Sequence, residues 1–127
     1  MIFVDADVFM YAVGRDHPLR EEARGFFLEH LSSGEVLVSS AEVLQELLHA
    51  YVPVGRLETL EAALELAHAR LGSIWSIEPE DVDLTRDLIG LHASLGARDL
   101  LHAACCRRRG VERVKTFDRA LASVFPG

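Results

Sequence analysis

Acidic residues follow apolar segments near both ends of this chain. The apolar run Met1–Val4 leads directly into Asp5, and Asp7 lies two residues further on. Near the other end, Asp118 follows the segment Val111–Thr116 by two residues. Carboxylate oxygens are the ligands that Mg²⁺ and Mn²⁺ prefer, and carboxylates also serve as nucleophiles and general acids. The residue types therefore indicate hydrolytic chemistry, with or without a metal ion.

Two further acids lie in predicted helices. Glu46 belongs to a helix that follows an apolar segment, and Asp99 lies in the first turn of another helix. Each acid alone has an ordinary explanation, because Asp99 and Asp118 suit helix N-termini and Glu46 suits a solvated helix face. Several carboxylates at one place repel each other, and a divalent cation between them removes that repulsion. Together the acids predict a site for Mg²⁺ or Mn²⁺.

The elements that must position these acids alternate between strand and helix. Continuous apolar runs predict four strands, and leucine spacings of three and four residues predict the helices. Ser39 and Glu42 have the spacing of a capping box, and Gly110 is expected to end a helix. The alternation predicts one α/β domain over residues 1–127 with a mainly parallel sheet, whose ligands bind beyond the carboxyl ends of the strands. The predicted strands are Met1–Val4, Val36–Ser39, Ile74–Ile77 and Val111–Thr116, and the predicted helices are Pro18–Leu31, Ser39–Tyr51, Arg56–Leu71, Leu84–Leu95, Ala97–Arg109 and Asp118–Val124.

Composition limits the classes of function. The chain has 127 residues, of which 50% are apolar, and a net charge of −7. Such a charge argues against binding nucleic acid through bulk charge, but not against an enzyme that acts on nucleic acid through metal ions. Because no apolar run approaches the ~20 residues of a membrane span, we expect no membrane association. Two adjacent cysteines, Cys105 and Cys106, and the lack of a signal-peptide pattern predict a reduced, cytoplasmic protein.

The histidines and a basic run offer weaker candidates. None of the six histidines pairs in a metal-binding spacing, so each is interpreted as a surface or packing residue. His49, one turn from Glu46, is the histidine expected nearest the acids. The run Arg107–Arg109 at a helix C-terminus is explained by the helix dipole, with contact to RNA or a partner as the alternative.

Four segments together resemble the motifs of PIN domains, and in particular of VapC-type toxins. The opening strand motif resembles FVDADVFMYA, which places the family's aspartate at Asp5. The second motif resembles SAEVLQELLHAY and places a glutamate at Glu46. The third and fourth motifs resemble LGARDLLHAACCRRRGVERVKTFDRAL and place aspartates at Asp99 and Asp118, with Thr116 before the last. The resemblance spans the whole chain, although the position of Asp7 more often carries an uncharged polar residue in the family.

The resemblance implies a fold, an activity and partners. The fold is an α/β/α sandwich on a mainly parallel sheet of four to five strands, with Pro126 and the end of the chain disfavouring the fifth. The activity is cleavage of RNA phosphodiesters with Mg²⁺ or Mn²⁺ held by Asp5, Asp99 and Asp118, and with Glu46 as a fourth catalytic residue. Asp7 and Thr116 would orient these ligands without binding the metal ion themselves. Homodimerisation and inhibition by a small cognate antitoxin are implied as well.

Two alternatives remain open on sequence alone. A strand that ends in Asp-x-Asp also resembles haloacid-dehalogenase-type phosphatases, with Asp5 as nucleophile and Asp7 as acid/base. In that case Ser39 or Ser40 and Lys115 would fill the other roles of that family. The second alternative is a non-catalytic interaction domain, whose acids only cap helices and bind no metal.

Overall fold

A computed structural model of the chain describes residues 1–126, which contain four strands and seven helices. The strands are β1 (Ile2–Val4), β2 (Leu37–Ser40), β3 (Ser73–Trp75) and β4 (Arg113–Lys115). The helices are α1 (Ala6–Val13), α2 (Pro18–Glu29), α3 (Ala41–Tyr51), α4 (Leu57–Arg70), α5 (Pro79–Leu88), α6 (Ala97–Arg108) and α7 (Arg119–Ala122). Within the described residues, no helix is long and apolar enough to cross a membrane.

The four strands form one parallel sheet in the order β3-β2-β1-β4. Phe3 in β1 lies opposite Val38 of β2 and Val114 of β4, so β1 is central. Because all strands run the same way, their carboxyl ends meet at one edge of the sheet. The prediction of a parallel sheet is confirmed. Between β4 and residue 126 the chain forms α7 and no fifth strand.

Helices cover the sheet on both faces. On one face, side chains of α1 to α4 pack over β1 and β2, with Phe9 against Phe27 at 5.3 Å between ring centroids. On the other face, α5, α6 and α7 enclose a second apolar cluster that includes Leu88, Leu100 and Ala104. This arrangement is the expected α/β/α sandwich.

Helix α1 was not predicted from the sequence. It has eight residues, too few for a clear period, and Val8 and Phe9 are both completely buried. The predicted capping box is also wrong, because Ser40 rather than Ser39 is the N-cap of α3. The Ser39 hydroxyl is completely buried and donates to the carbonyl oxygen of Val4 at 2.8 Å, which ties β2 to β1.

The predicted helix Leu84–Leu95 is displaced. Helix α5 begins at Pro79, where Glu78 and Asp81 form a capping box, and it ends at Leu88, two residues before Gly90. The leucine spacing predicted a helix that continues to Leu95, because Leu95 also packs into the core, although it lies in a turn beyond the helix. The prediction that Gly110 ends α6 is confirmed, since this glycine has a φ of +69°, the left-handed conformation typical of a helix terminus.

Candidate active site

Asp5 is the first residue after the central strand, at the carboxyl edge of the sheet. Its backbone N–H donates to the carbonyl oxygen of Lys115 at 3.0 Å, which aligns the ends of β1 and β4. Its side chain caps α1, because Oδ1 accepts from the backbone N–H of Ala6 at 2.8 Å. Only 6% of Asp5 is exposed. Burial raises the pKa of Asp5, although His102 and Thr116 act in the opposite direction.

Thr116 connects the two ends of the chain at this site. Its hydroxyl donates to Oδ2 of Asp5 at 2.7 Å and lies 3.4 Å from Oδ2 of Asp7. One hydroxyl has a single proton, so the shorter bond to Asp5 takes it. Asp7 instead accepts from the backbone N–H of Phe117 at 3.0 Å. Thr116 also accepts from the backbone N–H of Asp118 at 3.0 Å, so it links two of the predicted site residues, Asp5 and Asp118.

Asp118 and Asp99 approach each other at the same edge. Asp118 caps α7, because its Oδ1 accepts from the backbone N–H groups of Ala120 at 2.9 Å and Leu121 at 3.3 Å. Asp99 lies in the first turn of α6 and is partly buried. Burial, then the nearby Asp118 and Asp5 carboxylates, raise the pKa of Asp99 to about 6. Capping therefore explains Asp118 in part, but it does not explain why Asp99 faces other acids.

Glu46 reaches the acids from α3 and is bound there by a histidine. Its Oε1 forms a hydrogen bond with Nε2 of His102, and the same nitrogen lies 3.7 Å from Oδ1 of Asp5. Potential ligand atoms of Asp5, Glu46 and His102 lie within 4.8 Å of one another. Burial alone would lower the pKa of His102, but the carboxylates of Glu46, Asp5 and Asp99 outweigh it and raise the pKa.

Sequence reasoning missed His102 and pointed weakly to His49 instead. His49 is exposed on α3, whereas His102 is completely buried and packs on Phe3 at 5.3 Å between ring centroids. The available signal was its spacing, because residues three apart on a helix share a face and His102 follows Asp99 by three. A buried histidine that contacts two carboxylates is more than the packing residue that the sequence suggested.

The basic run on α6 has a structural role in two of its three members. Arg108 and Arg109 both bind the completely buried carboxylate of Asp81, with Nη1–Oδ1 distances of 2.6 and 2.8 Å. Arg109 also lies over the ring of Trp75, 4.9 Å from its centroid. These contacts connect α6 to α5 and to the end of β3. Arg107 is exposed.

The acids at the carboxyl edge lack comparable compensation. Burial, followed by repulsion from Asp5, raises the pKa of Asp7 to about 7. Its Oδ1 atom is buried and has no hydrogen-bond partner among residues 1–126. Arg98, the nearest guanidinium to Glu46, stays half exposed with its Nε 4.0 Å from Glu46 Oε1. Oxygen ligands in excess of local positive charge are what a hard divalent cation requires, so the donor set fits Mg²⁺ or Mn²⁺.

Two of the residues that the phosphatase alternative could use, Ser39 and Lys115, are engaged elsewhere, and the hydroxyl of Ser40 is buried without a hydrogen-bond partner among residues 1–126. The Ser39 hydroxyl bonds to the Val4 carbonyl group inside the sheet. The Lys115 ammonium group pairs with Glu22 at 3.6 Å and lies 5.0 Å from the centroid of the Phe117 ring. Neither contact involves Asp5, the nucleophile of the phosphatase alternative.

Comparison with known proteins gives concordant matches along the whole chain. The PIN domain family model matches residues 2–124. Ribonuclease VapC23 of Mycobacterium tuberculosis strain H37Rv is 62% identical over 125 residues, covering 98% of both chains. The VapC ribonuclease Mb1869c of Mycobacterium bovis is 39% identical over 127 residues, covering 100% of this chain and 96% of the relative.

Solved structures show the same fold at low sequence identity. Mycobacterium tuberculosis VapC20, described as a sarcin-ricin loop cleaving toxin, superposes with a TM-score of 0.74 at 20% identity over 98% of this chain and 96% of its own. VapBC2 from Rickettsia felis, bound to a DNA fragment from its promoter, gives a TM-score of 0.74 at 21% identity over 99% of this chain and 94% of its own. The resemblance seen in the sequence is confirmed, and the phosphatase and non-catalytic alternatives gain no support. The chain belongs to the PIN-domain family and, within it, to the VapC-type ribonucleases.

Proposed function

We propose that the protein is a metal-dependent endoribonuclease and the toxin of a toxin–antitoxin pair, with Asp5, Glu46, Asp99 and Asp118 as its catalytic residues. One observation carries the assignment of the site. Acids from four separate segments converge at the carboxyl edge of the sheet, and the pKa values of Asp5, Asp7 and Asp99 are all raised there. Titratable groups perturbed by burial and by like charges are typical of active sites.

Each residue of the site has a separate role in the proposed reaction. Asp5, Asp99 and Asp118 would hold Mg²⁺ or Mn²⁺, and Glu46 would orient the attacking water or complete the ligand set. The bound cation supplies a Lewis acid that activates water and offsets negative charge on the phosphoryl group. Thr116 fixes the Asp5 rotamer through its 2.7 Å bond to Oδ2. His102 fixes Glu46, and such supporting contacts are worth roughly 10- to 100-fold in metal affinity or activity.

The biological setting follows from the family. VapBC2, the R. felis relative, pairs a VapC with a second component, and we propose a small cognate antitoxin for this chain as well. Homodimerisation and action in the cytoplasm belong to the same proposal. Two buried, unpaired cysteines, Cys105 and Cys106, agree with a reducing compartment.

The decisive experiment is RNA cleavage by the purified protein with Mg²⁺ or Mn²⁺, repeated in excess chelator. Cleavage should require the cation and return when the cation is restored. Cleavage that persists unchanged in chelator would reject the metal-dependent mechanism. Induced expression in a bacterial host then tests the toxin assignment, since growth arrest should be relieved by co-expression of the small gene adjacent to this one.

A further inference from the structure

An open groove begins at Asp7 and runs along the surface away from the acids. It lies between the last turn of α1 and the segment that joins α3 to α4, and its volume is about 510 Å³. Pockets of ~300–1,000 Å³ are typical of sites for small ligands. We call it the Tyr11 groove and define it by six of the residues on its wall, Asp7, Met10, Tyr11, Arg15, Tyr51 and Arg56.

Its aromatic wall is held rigidly. The Tyr11 ring packs against His17, with 4.8 Å between centroids, and forms a T-shaped contact with Phe117, with 5.4 Å between centroids and an interplanar angle of 90°. Tyr51, also on the wall, is only 7% exposed. A ring fixed by its neighbours loses little conformational entropy when a planar group stacks on it. The sequence showed no aromatic platform because these residues come together only through the fold.

Its positive charge is available to a ligand. Arg15 and Arg56 are exposed on the groove wall, and neither forms an ion pair with any carboxylate of residues 1–126. Asp7 and Asp16 also lie on the wall, so the positive charge is confined to the part of the groove next to the two exposed arginines. Several other arginines are already paired with acids, namely Arg86, Arg98, Arg108, Arg109 and Arg113.

Aromatic rings beside unpaired arginines are the combination that binds unpaired nucleotides. Bases of single-stranded RNA stack on aromatic side chains, and guanidinium groups contact the backbone phosphates. In a chain with a net charge of −7, such a local pair is needed to retain a polyanion near the acids. A base within a duplex cannot enter a groove of this kind, because its faces are covered by neighbouring bases.

We propose that the Tyr11 groove binds the nucleoside next to the cleaved phosphate of a single-stranded RNA, with its base stacked on Tyr11 and its phosphates held by Arg15 and Arg56. The location of the cleaved phosphate rests on the proposed function, whereas binding of the base does not. The site thus selects unpaired segments of RNA and sets the register of the strand across Asp7 and Asp5.

Binding of a short single-stranded RNA that carries 2-aminopurine tests the groove without cleavage, in excess chelator. The parent protein should quench the fluorescence, because the probe base stacks on a ring. Tyr11→Leu should lose the quenching and bind roughly tenfold more weakly, while Tyr11→Phe, which keeps the ring, should behave as the parent. The double variant Arg15→Gln/Arg56→Gln changes only exposed residues, and it should lower the salt dependence of log K by ~1.4, about 0.7 for each phosphate that an arginine no longer neutralises.

Arg107→Gln is the matched control, since Arg107 is exposed and lies on a different cavity at the end of α6. It should leave affinity, quenching and salt slope close to those of the parent. If Tyr11→Leu and the double arginine variant match this control, the groove does not bind RNA, even if the parent cleaves RNA with Mg²⁺. If those variants lose binding while the parent shows no metal-dependent cleavage, the proposed function fails and the groove proposal stands.

Discussion

Asp81 and the acids at the carboxyl edge of the sheet have opposite electrostatic surroundings. Asp81, between α5 and α6, is completely buried and accepts hydrogen bonds from Arg108, Arg109 and the backbone N–H of Glu78. Although burial acts to raise it, these donors hold the pKa of Asp81 well below its usual range. At the carboxyl edge of the sheet, burial and neighbouring carboxylates raise the pKa of Asp7 and Asp99 instead.

The difference separates acids that support the fold from acids that act on a ligand. Asp81 has as many donors as its oxygens require, so its charge is satisfied within the chain. The acids at the sheet edge share few donors, and they stay near each other only because the ends of β1 and β4 and the starts of α1 and α6 converge. A cluster that costs stability when empty is expected where a cation or substrate completes it.

Asp5→Asn should cause the largest effect and tests the functional half of the comparison. The change keeps the size of the side chain and an oxygen for the N–H of Ala6, but it removes the charge that would bind the cation. RNA cleavage with Mg²⁺ should fall about a hundredfold or more, at least ~2.7 kcal/mol in barrier. Cleavage rates under single-turnover conditions give the measurement.

Asp83→Asn is the control for this experiment, because Asp83 is an exposed acid on α5 outside the cluster. Its rate should equal that of the parent. An Asp5→Asn protein that is folded and cleaves RNA at the parental rate would remove Asp5 from the active centre.

Asp81→Asn tests the structural half of the comparison. The substitution leaves Arg108 and Arg109 without their carboxylate, and breaking a buried ion pair costs ~3–5 kcal/mol when both partners are buried. The two arginine side chains are 31% and 21% exposed, so water solvates them in part, and we expect a loss of about 2 kcal/mol in the free energy of unfolding. Urea denaturation measures it, and cleavage per folded molecule should be unchanged.

Asp87→Asn provides the matched control for stability. Asp87 pairs with Arg86 at 3.9 Å, but both side chains are mostly exposed. Such surface pairs contribute little, so the unfolding curve should match that of the parent within ~0.5 kcal/mol. If both variants lose the same stability, the buried network around Asp81 is not what fastens α5 to α6.

The comparison also explains what the sequence could and could not predict. Asp5, Asp99 and Asp118 were candidates because each lies just after a strand or in the first turn of a helix, and a parallel sheet gathers such positions at one edge, whereas Glu46 was singled out by the resemblance to the family's second motif. Asp81 and its arginines were not selected, because 27 residues separate Asp81 from Arg108 and no local pattern records the contact. His102 was missed for the same reason, since burial and the contact with Glu46 arise from packing.

The ends of the helices also differ in whether local sequence or packing sets them. Gly110 acts through its own backbone conformation, so the end of α6 could be predicted from sequence, whereas the start of α5 at Pro79 was not predicted. The end of α5 at Leu88 and the short helix α1 depend on packing against other elements. Leucine spacing continued past Leu88 to Leu95 even though the helix did not.

Asp99→Asn tests whether Asp99 binds a metal ion or supports the fold as Asp81 does. Without metal, removing one charge from the repelling acids should raise the melting temperature by a few degrees, corresponding to ~1 kcal/mol. The same variant should gain less from Mn²⁺, because a bound ligand stabilises by RT ln(1 + [L]/Kd), ~2.7 kcal/mol at a hundredfold excess over Kd. Thermal unfolding in chelator and in Mn²⁺ measures both effects. A lower melting temperature in chelator, with an unchanged gain from Mn²⁺, would make Asp99 a structural acid like Asp81.

Asp7→Asn should have the smallest effect on RNA cleavage, and the size of its effect on stability should depend on pH. Since the pKa of folded Asp7 is raised from 3.8 to about 7, the folded state keeps a proton that the unfolded chain releases above about pH 4. Stability therefore falls as pH rises through the window from about 4 to 7, and at about pH 8 the parent carries the full penalty of a charged Asp7. Asn carries no such penalty and can still accept from the N–H of Phe117. In chelator, the melting temperature of the variant should exceed that of the parent at about pH 8 and equal it at about pH 4. With Mg²⁺, RNA cleavage by the variant should stay within about tenfold of the parental rate, a change of at most ~1.4 kcal/mol in the activation barrier. Equal melting temperatures at both pH values would show that Asp7 is as well compensated as Asp81, and a loss of cleavage as complete as that of Asp5→Asn would make Asp7 part of the catalytic set.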